Sequence, residues 1–244
     1  MSKLLPEGHG SYELQPANDS TALAVVKAIC PLCGFEFDNH FLLTSRLGRG
    51  KTEPDMRIRH TGIEPLHYAI TTCTKCLFST ELKIFEETPK RYAENIHKAL
   101  EPYKDENLEI KIGRERDMNS VFISFYLALI CTPLAVDRNQ ELECAGIHLK
   151  IARLYSDCKD KKMERVAFQK SYEAYHHIYT TNSRIDDKLS LQIAFLLGDI
   201  SYKLENYDDA RQYFYKIKTS KKATPTLAKM TDDRIEIIRD IMNP

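Results

Sequence analysis

Apolar side chains recur at helical spacing from about residue 88 to the end of the chain, whereas the segment before it contains short β-type runs. The first pattern predicts helices and the second predicts short strands. Residues 1–23 are polar and rich in turn formers without a sustained period, which predicts a mobile leader. The chain is therefore expected to divide into this leader, a β-rich module at 24–86 and a helical domain at 87–244.

Capping and turn residues divide the helical domain into seven predicted helices. Thr88-Pro89 is expected to open the first, and Pro102 to close it, because proline suits the first helical turn and disfavours the helix interior. Helices with such short connections pack as antiparallel hairpins. The predicted helices cover residues 88–100, 117–130, 139–158, 161–179, 186–204, 207–217 and 226–242.

Charge and hydropathy limit the possible partners. Lys plus Arg and Asp plus Glu both number 35, so no net field attracts nucleic acid or an anionic membrane. The N-terminus has no apolar core of signal-peptide length, and the longest apolar run, residues 121–135, is shorter than the roughly 20 residues of a membrane helix. These features predict a cytoplasmic protein without membrane insertion. In that compartment, paired cysteines are more often metal ligands or redox groups than disulfides.

Two C-x-x-C pairs with 39 residues between them are the most specific motif in the chain. A two-residue spacer lets a tight turn direct both sulfurs at one ion, and two such turns complete a tetrahedron around Zn²⁺. Gly34 can take the positive φ that such a turn uses, whereas Leu77 at the matching position would be strained by ~1–2 kcal/mol. We therefore predict one structural zinc ion. Its predicted ligands are Cys30, Cys33, Cys73 and Cys76.

The alternative is that one pair is redox-active or that the cysteines are buried thiols. A thioredoxin-like site needs one C-x-x-C only, and a catalytic zinc keeps a position open for water. The other cysteines, Cys131, Cys144 and Cys158, lack ligand spacing and are expected to be core thiols. The chain contains no Ser-His-Asp arrangement, Gly-rich phosphate loop or H-E-x-x-H motif, so we do not expect an enzyme.

The segment between the cysteine pairs is locally basic, although Glu53 and Asp55 reduce its charge. A solvated loop is the simplest interpretation. Zinc ribbons often contact nucleic acid, but this segment has no aromatic platform for stacking bases. Nucleic-acid binding by the ribbon is therefore an alternative function. Its candidate contacts are Arg46, Arg49, Lys51, Arg57 and Arg59.

Four short segments that together span most of residues 28–80 carry a family resemblance. They are Cys-Pro-Leu-Cys-Gly at 30–34, Thr-Ser-Arg-Leu at 44–47, Gly-Ile-Glu-Pro-Leu-His-Tyr at 62–68 and Cys-Thr-Lys-Cys at 73–76. The chain resembles the uncharacterised bacterial proteins grouped as domain of unknown function 2225. This resemblance implies a zinc ribbon fused to tetratricopeptide-like helices, without an assigned biochemical role. Members often have another cysteine where this chain has Asp55-Met56-Arg57-Ile58, so no fifth ligand is expected.

Residues 197–217 separately resemble a tetratricopeptide repeat. Gly198 and Ala210 are small where the two helices of such a hairpin cross closely. Glu205 departs from the pattern, because glycine is usual in that turn. An earlier, degenerate copy over about 151–175 lies nearer 46 than 34 residues upstream.

Together these patterns predict a mainly α fold, in which a small N-terminal β-rich zinc ribbon precedes a tetratricopeptide-like array of antiparallel helices. We interpret the protein as an intracellular zinc-binding scaffold or adaptor that binds another protein or peptide in a groove of its helices. Exposed side chains on the first helix of the last repeat are expected to meet this partner. The candidates are Gln192, Asp199 and Lys203.

Overall fold

Three short β-hairpins precede a set of antiparallel helices, which confirms the predicted mainly α fold. The structure, a computed structural model, describes residues 3–13, 21–48, 50–53, 55–104, 108, 110–114, 116–181 and 185–242. The strands are β1 (Leu23–Ile29), β2 (Glu36–Leu42), β3 (Lys51–Thr52), β4 (Ile58–Arg59), β5 (Ile70–Thr72) and β6 (Ser79–Glu81). The α-helices are α1 (Leu82–Glu87), α2 (Ala93–Lys104), α3 (Met118–Ala135), α4 (Gln140–Asp157), α5 (Lys161–Thr181), α6 (Asp187–Lys203), α7 (Tyr207–Lys218) and α8 (Pro225–Met242).

The last five helices agree with the sequence prediction to within two residues, but the first three do not. Thr88 ends α1, where its hydroxyl donates to the Ile84 carbonyl, so it does not cap the next helix. Pro102 and Pro133 both lie inside helices, in the last turns of α2 and α3. Proline there removes one bond close to the helix end, so the helices continue past the residues predicted to stop them.

Two helical hairpins, α4–α5 and α6–α7, are joined by the same turn. Lys159 in the first and Glu205 in the second take positive φ values of 59° and 66°. In each turn the next residue's N–H donates to the carbonyl five residues earlier, at 3.0 and 2.9 Å, as in a Schellman motif. The two turns are 46 residues apart, which is the repeat spacing that the sequence predicted. A Cβ on Gly198 would lie 2.8 Å from the Phe214 ring, so this crossing requires glycine.

Helix α3 connects the cysteine-bearing hairpins to the later helices. Phe122 and Phe125 pack in one hydrophobic cluster with α4–α8, whereas Leu127 and Cys131 pack in another with Cys73. The helix is long and apolar enough to cross a membrane, but 67% of it is buried inside the protein, as in the core helix of a globular fold. The hydrophobic cluster that contains the cysteines therefore includes side chains from both sides of the boundary predicted at residue 86.

The described part of the predicted leader packs against the helices. Leu4 is buried in the cluster that contains the cysteines. The Nδ1 atom of His9 lies 2.9 Å from the Tyr155 hydroxyl, and the Tyr12 hydroxyl donates to Asp160 at 2.8 Å. Residues 3–13 of the predicted leader thus have contacts with α3, α4 and the turn before α5.

Candidate metal centre

The two cysteine pairs lie in turns with matching hydrogen bonds, one between β1 and β2 and the other between β5 and β6. The Gly34 N–H donates to the Cys30 carbonyl at 2.9 Å, and the Leu77 N–H donates to the Cys73 carbonyl at 2.8 Å. In each turn the first cysteine's N–H also bonds the carbonyl five residues later, at 2.9 Å. Gly34 and Leu77 have φ values of 72° and 65°. The second turn therefore adopts the strained geometry despite having leucine, whose side chain is buried in the surrounding core.

The four sulfur atoms converge on one point. Cys30 Sγ lies 3.6 Å from Cys76 Sγ, and Cys33 Sγ lies 3.7 Å from Cys73 Sγ. All four atoms lie within 4.8 Å of one another, and none of these cysteines is in a disulfide. Zn–S bonds of about 2.3 Å in a tetrahedron require sulfur separations of about 3.8 Å. The donor set therefore fits a tetrahedral metal ion, and the four predicted ligands are brought together.

Hydrogen bonds among the thiols shift the pKa values of the cysteines in different directions. Hydrogen bonding with Cys73 and Cys76 lowers the pKa of Cys30, and hydrogen bonding with Cys30 raises the pKa of Cys73 and of Cys76. Without a cation, Cys73 and Cys76 thus favour the neutral thiol form. A divalent ion that binds all four sulfurs must displace the remaining protons, so its affinity rises with pH.

The cluster is closed to water on most sides. Cys30, Cys73 and Cys76 are buried, and Cys33 is partly buried. Phe78, together with residues from α1, α2 and α3, packs around them in the same hydrophobic cluster. Four thiolates complete a tetrahedral shell, which leaves no position for a substrate or a water molecule. The arrangement is thus suited to a structural ion rather than to metal-assisted catalysis.

Two arginines of the basic segment are paired with carboxylates. Arg57 is only 6% exposed and bonds to Asp157 of α4 at 3.0 Å, while Glu64 lies 3.0 Å from the same guanidinium. Arg59 contacts Asp157 at 2.7 Å and Glu53 at 3.2 Å. The prediction that Arg57 is free to meet nucleic acid is wrong, because Arg57 is buried in ion pairs with Asp157 of α4 and with Glu64.

The other candidate nucleic-acid contacts lie apart from these ion pairs. Arg46 is exposed and donates to the Thr21 carbonyl at 3.2 Å, and Lys51 is exposed at the start of β3. Arg49 lies outside the described residues.

Two of the three candidate partner contacts are accessible. Gln192 and Lys203 are exposed on α6, as predicted. Asp199, however, is 4% exposed and forms an ion pair with Arg234 of α8. Burial raises the pKa of Asp199, and the Arg234 guanidinium opposes this shift. Asp199 therefore joins α6 to α8 and is not available to a partner, so this part of the prediction is wrong.

Residues 55–57, which we call the 55–57 segment, lie against the first helices of the hairpins. Arg153 of α4 donates to the Asp55 carbonyl at 2.8 Å. Met56 takes a positive φ of 63° and borders a recess with Leu191 of α6 and Leu227 of α8. The chain's own segment thus covers part of the surface that the sequence assigned to a partner. Nothing in the sequence of this segment indicated these contacts.

The cysteine cluster and the helical hairpins define a mainly α protein with a candidate four-cysteine metal centre. The chain belongs to the family described as "Uncharacterized protein conserved in bacteria (DUF2225)", whose model matches residues 23–238. This match confirms the resemblance stated from the sequence motifs. No curated protein and no solved structure matches the chain.

Proposed function

We propose that the protein is a cytoplasmic, zinc-stabilised scaffold that binds a partner protein on the side of α6 and α8 next to the 55–57 segment. Zinc is the metal we propose, because a closed tetrahedral set of four thiolates suits its coordination and its soft-ligand preference. In this proposal the ion's role is structural. It holds together the two cysteine turns, which are not joined by a disulfide.

The observation that supports partner binding is an open recess of about 190 Å³ between Met56, α6 and α8. Most of its lining surface is apolar, and its lining residues include Gln192, one of the exposed positions expected to contact a partner. An apolar recess with a few polar groups at its rim is the usual form of a binding site. It also extends the surface on which the 55–57 segment already lies.

Metal analysis tests the zinc part of the proposal. Protein purified under reducing, chelator-free conditions should contain about one zinc per chain. Cys73→Ser should lose it, whereas Cys144→Ser, which changes a cysteine outside the cluster, should keep it. A metal content near zero, or iron in place of zinc, would contradict the assignment.

Affinity capture from the native cell tests the scaffold part. Gln192→Trp places a bulky ring at the recess, and Gln212→Trp places the same ring on the exposed side of α7. We expect a protein partner at near-equal amounts with the wild-type chain and with Gln212→Trp, and its loss with Gln192→Trp. If every recovered partner is retained by Gln192→Trp, this face is not the binding surface.

Nucleic-acid binding has weaker support, since the carboxylates around Arg57 and Arg59 compete with phosphate for the same guanidinium groups. Binding of DNA or RNA that weakens steeply with salt, and that is lost in Arg46→Ala and Lys51→Ala variants, would favour that function over the scaffold.

A further inference from the structure

The recess beside the 55–57 segment combines an apolar floor with a size suited to one side chain. Met56, Leu191, Leu227 and Met230 supply most of the floor. Its volume of about 190 Å³ exceeds the ~150 Å³ of an engineered cavity that binds benzene. The two methionines can adjust to different shapes, because the thioether side chain is unbranched and polarizable. One aromatic or branched aliphatic side chain therefore fits this floor.

The lining of the recess also includes two lysines. Lys188 and Lys222 both border it. Lys222 pairs with Asp187, whereas Lys188 forms no ion pair with any residue in the described part of the chain. Lys188 thus places a positive charge without an ion-pair partner among the described residues beside the apolar side chains, which favours an anion there.

The first turn of α8 faces the same rim. Thr224 and Thr226 line the recess. The Leu227 N–H is already bonded to the Thr224 hydroxyl at 3.3 Å, but the Thr226 N–H is too near the start of the helix to have a partner within it. A backbone N–H at this end of an 18-residue helix adds to the attraction of the lysines for a negative group.

We propose that this recess captures the carboxyl terminus of a partner polypeptide whose last side chain is apolar. The last side chain enters the floor, and the terminal carboxylate lies at the rim near Lys188 and the Thr226 N–H. The preceding residues of the partner run along α6 beside the 55–57 segment. This inference rests on the proposed scaffold function and names the class of partner.

The chemistry distinguishes this ligand from its nearest alternatives. A peptide amide lacks the charge that the lysine rim favours, and a terminal alanine leaves the floor empty. A fatty acid has the same combination of carboxylate and apolar group but no main chain to lie along α6. An internal acidic segment carries charge without a free terminus.

Fluorescence anisotropy with labelled synthetic pentapeptides tests the proposal on the intact, zinc-loaded chain. The probes are Gly-Ser-Gly-Ser-Phe with a free carboxylate, the same peptide as its amide, and Gly-Ser-Gly-Ser-Ala with a free carboxylate. We expect the first to bind at least about tenfold more tightly than either of the others, because each loses one of the two recognised groups. Unlabelled octanoate should compete more weakly than the unlabelled Phe-ended peptide.

Matched variants locate the binding. Lys188→Glu should weaken binding of the free carboxylate about tenfold or more, whereas Lys170→Glu, which makes the same change at an exposed position of α5, should leave it within about twofold. Thermal unfolding of both variants checks that the fold is retained. Equal binding of acid and amide, no binding of the free-acid peptide up to 1 mM, or unchanged binding by Lys188→Glu would overturn the proposal. Octanoate that competes better than the peptide would also overturn it.

The capture experiment separates this failure from failure of the scaffold function. If Gln192→Trp loses a natural partner but the peptides do not bind, the surface is a partner site for something other than an apolar carboxyl terminus. If both experiments fail, the scaffold proposal is wrong as well.

Discussion

Removal of the metal should unfold more than the cysteine turns. Chelation, or the double change Cys73→Ser and Cys76→Ser, leaves the four-cysteine cluster without the ion that we propose binds it. The buried cysteines share a hydrophobic cluster with Phe85 of α1, Leu100 of α2 and Leu127 of α3. Because these helices pack directly on the cysteine turns, disorder there should spread into them rather than stop at the predicted boundary.

The size of the effect follows from the helix lengths and from two free energies. A structural zinc contributes roughly 10–16 kcal/mol in small zinc-binding peptides, which is similar to the roughly 5–15 kcal/mol that stabilises a whole domain. Helices α1, α2 and α3 contain 6, 12 and 18 residues, which is about three-tenths of the α-helical residues. Helices α4–α8 have their own cluster of buried side chains. We therefore expect a loss of about 30% of the helical signal.

Far-UV circular dichroism before and after chelation measures this loss, and hydrogen exchange locates it. Faster exchange should appear in the cysteine turns and in α1–α3, while α4–α8 keep most of their protection. Cys144→Ser should behave as the wild-type chain in both measurements. Loss of the entire helical signal would show that α4–α8 depend on the metal too. Faster exchange confined to residues 24–86 would show that α3 does not transmit the change.

Three further changes test other parts of the structure. Glu205→Gly should raise the free energy of unfolding by ~0.5–1 kcal/mol, because glycine adopts φ 66° without strain, although glycine also adds freedom to the unfolded chain. The control Lys203→Gly, within α6, should lower the free energy of unfolding by about 1 kcal/mol. Destabilisation by Glu205→Gly would contradict the reasoning. Arg57→Met leaves two nearby carboxylates without their buried partner, so denaturant unfolding should show a free energy of unfolding lower by about 3 kcal/mol. The control Lys51→Met should change the free energy of unfolding by less than about 0.5 kcal/mol. Equal effects of the two changes would mean that the ion pairs contribute little. Burial lowers the pKa of His148 from 6.5 to about 4, so as the pH drops the unfolded chain binds this proton before the folded chain does. Stability should therefore fall as the pH drops from about 6.5 toward 4, and His148→Gln should flatten this part of the stability–pH curve. An unchanged curve would show that other groups dominate the pH dependence.

The cysteine cluster and the later helices could be predicted because their signals are local. Spacing within each C-x-x-C pair defines a turn, and the turn shared by both hairpins repeats after 46 residues. Features that depend on distant partners could not be predicted. Asp199 is buried in an ion pair with Arg234, which lies 35 residues later in the chain. Arg57 is buried in an ion pair with Asp157, which lies 100 residues later. Leu77 shows a third limit, since the core around it stabilises a backbone conformation that leucine alone disfavours.

The packing of the first described segment has a consequence for how the chain folds. His9 bonds to Tyr155, and Tyr12 bonds to Asp160, across 146 and 148 residues. Such contacts require the closure of very long loops, which is slow compared with the formation of a helical hairpin from neighbouring segments. During synthesis this segment leaves the ribosome before α4 and the start of α5, so it cannot dock on them until they have followed. The side chains of His9 and Tyr12 therefore lack these partners until residues 155–160 have been synthesised.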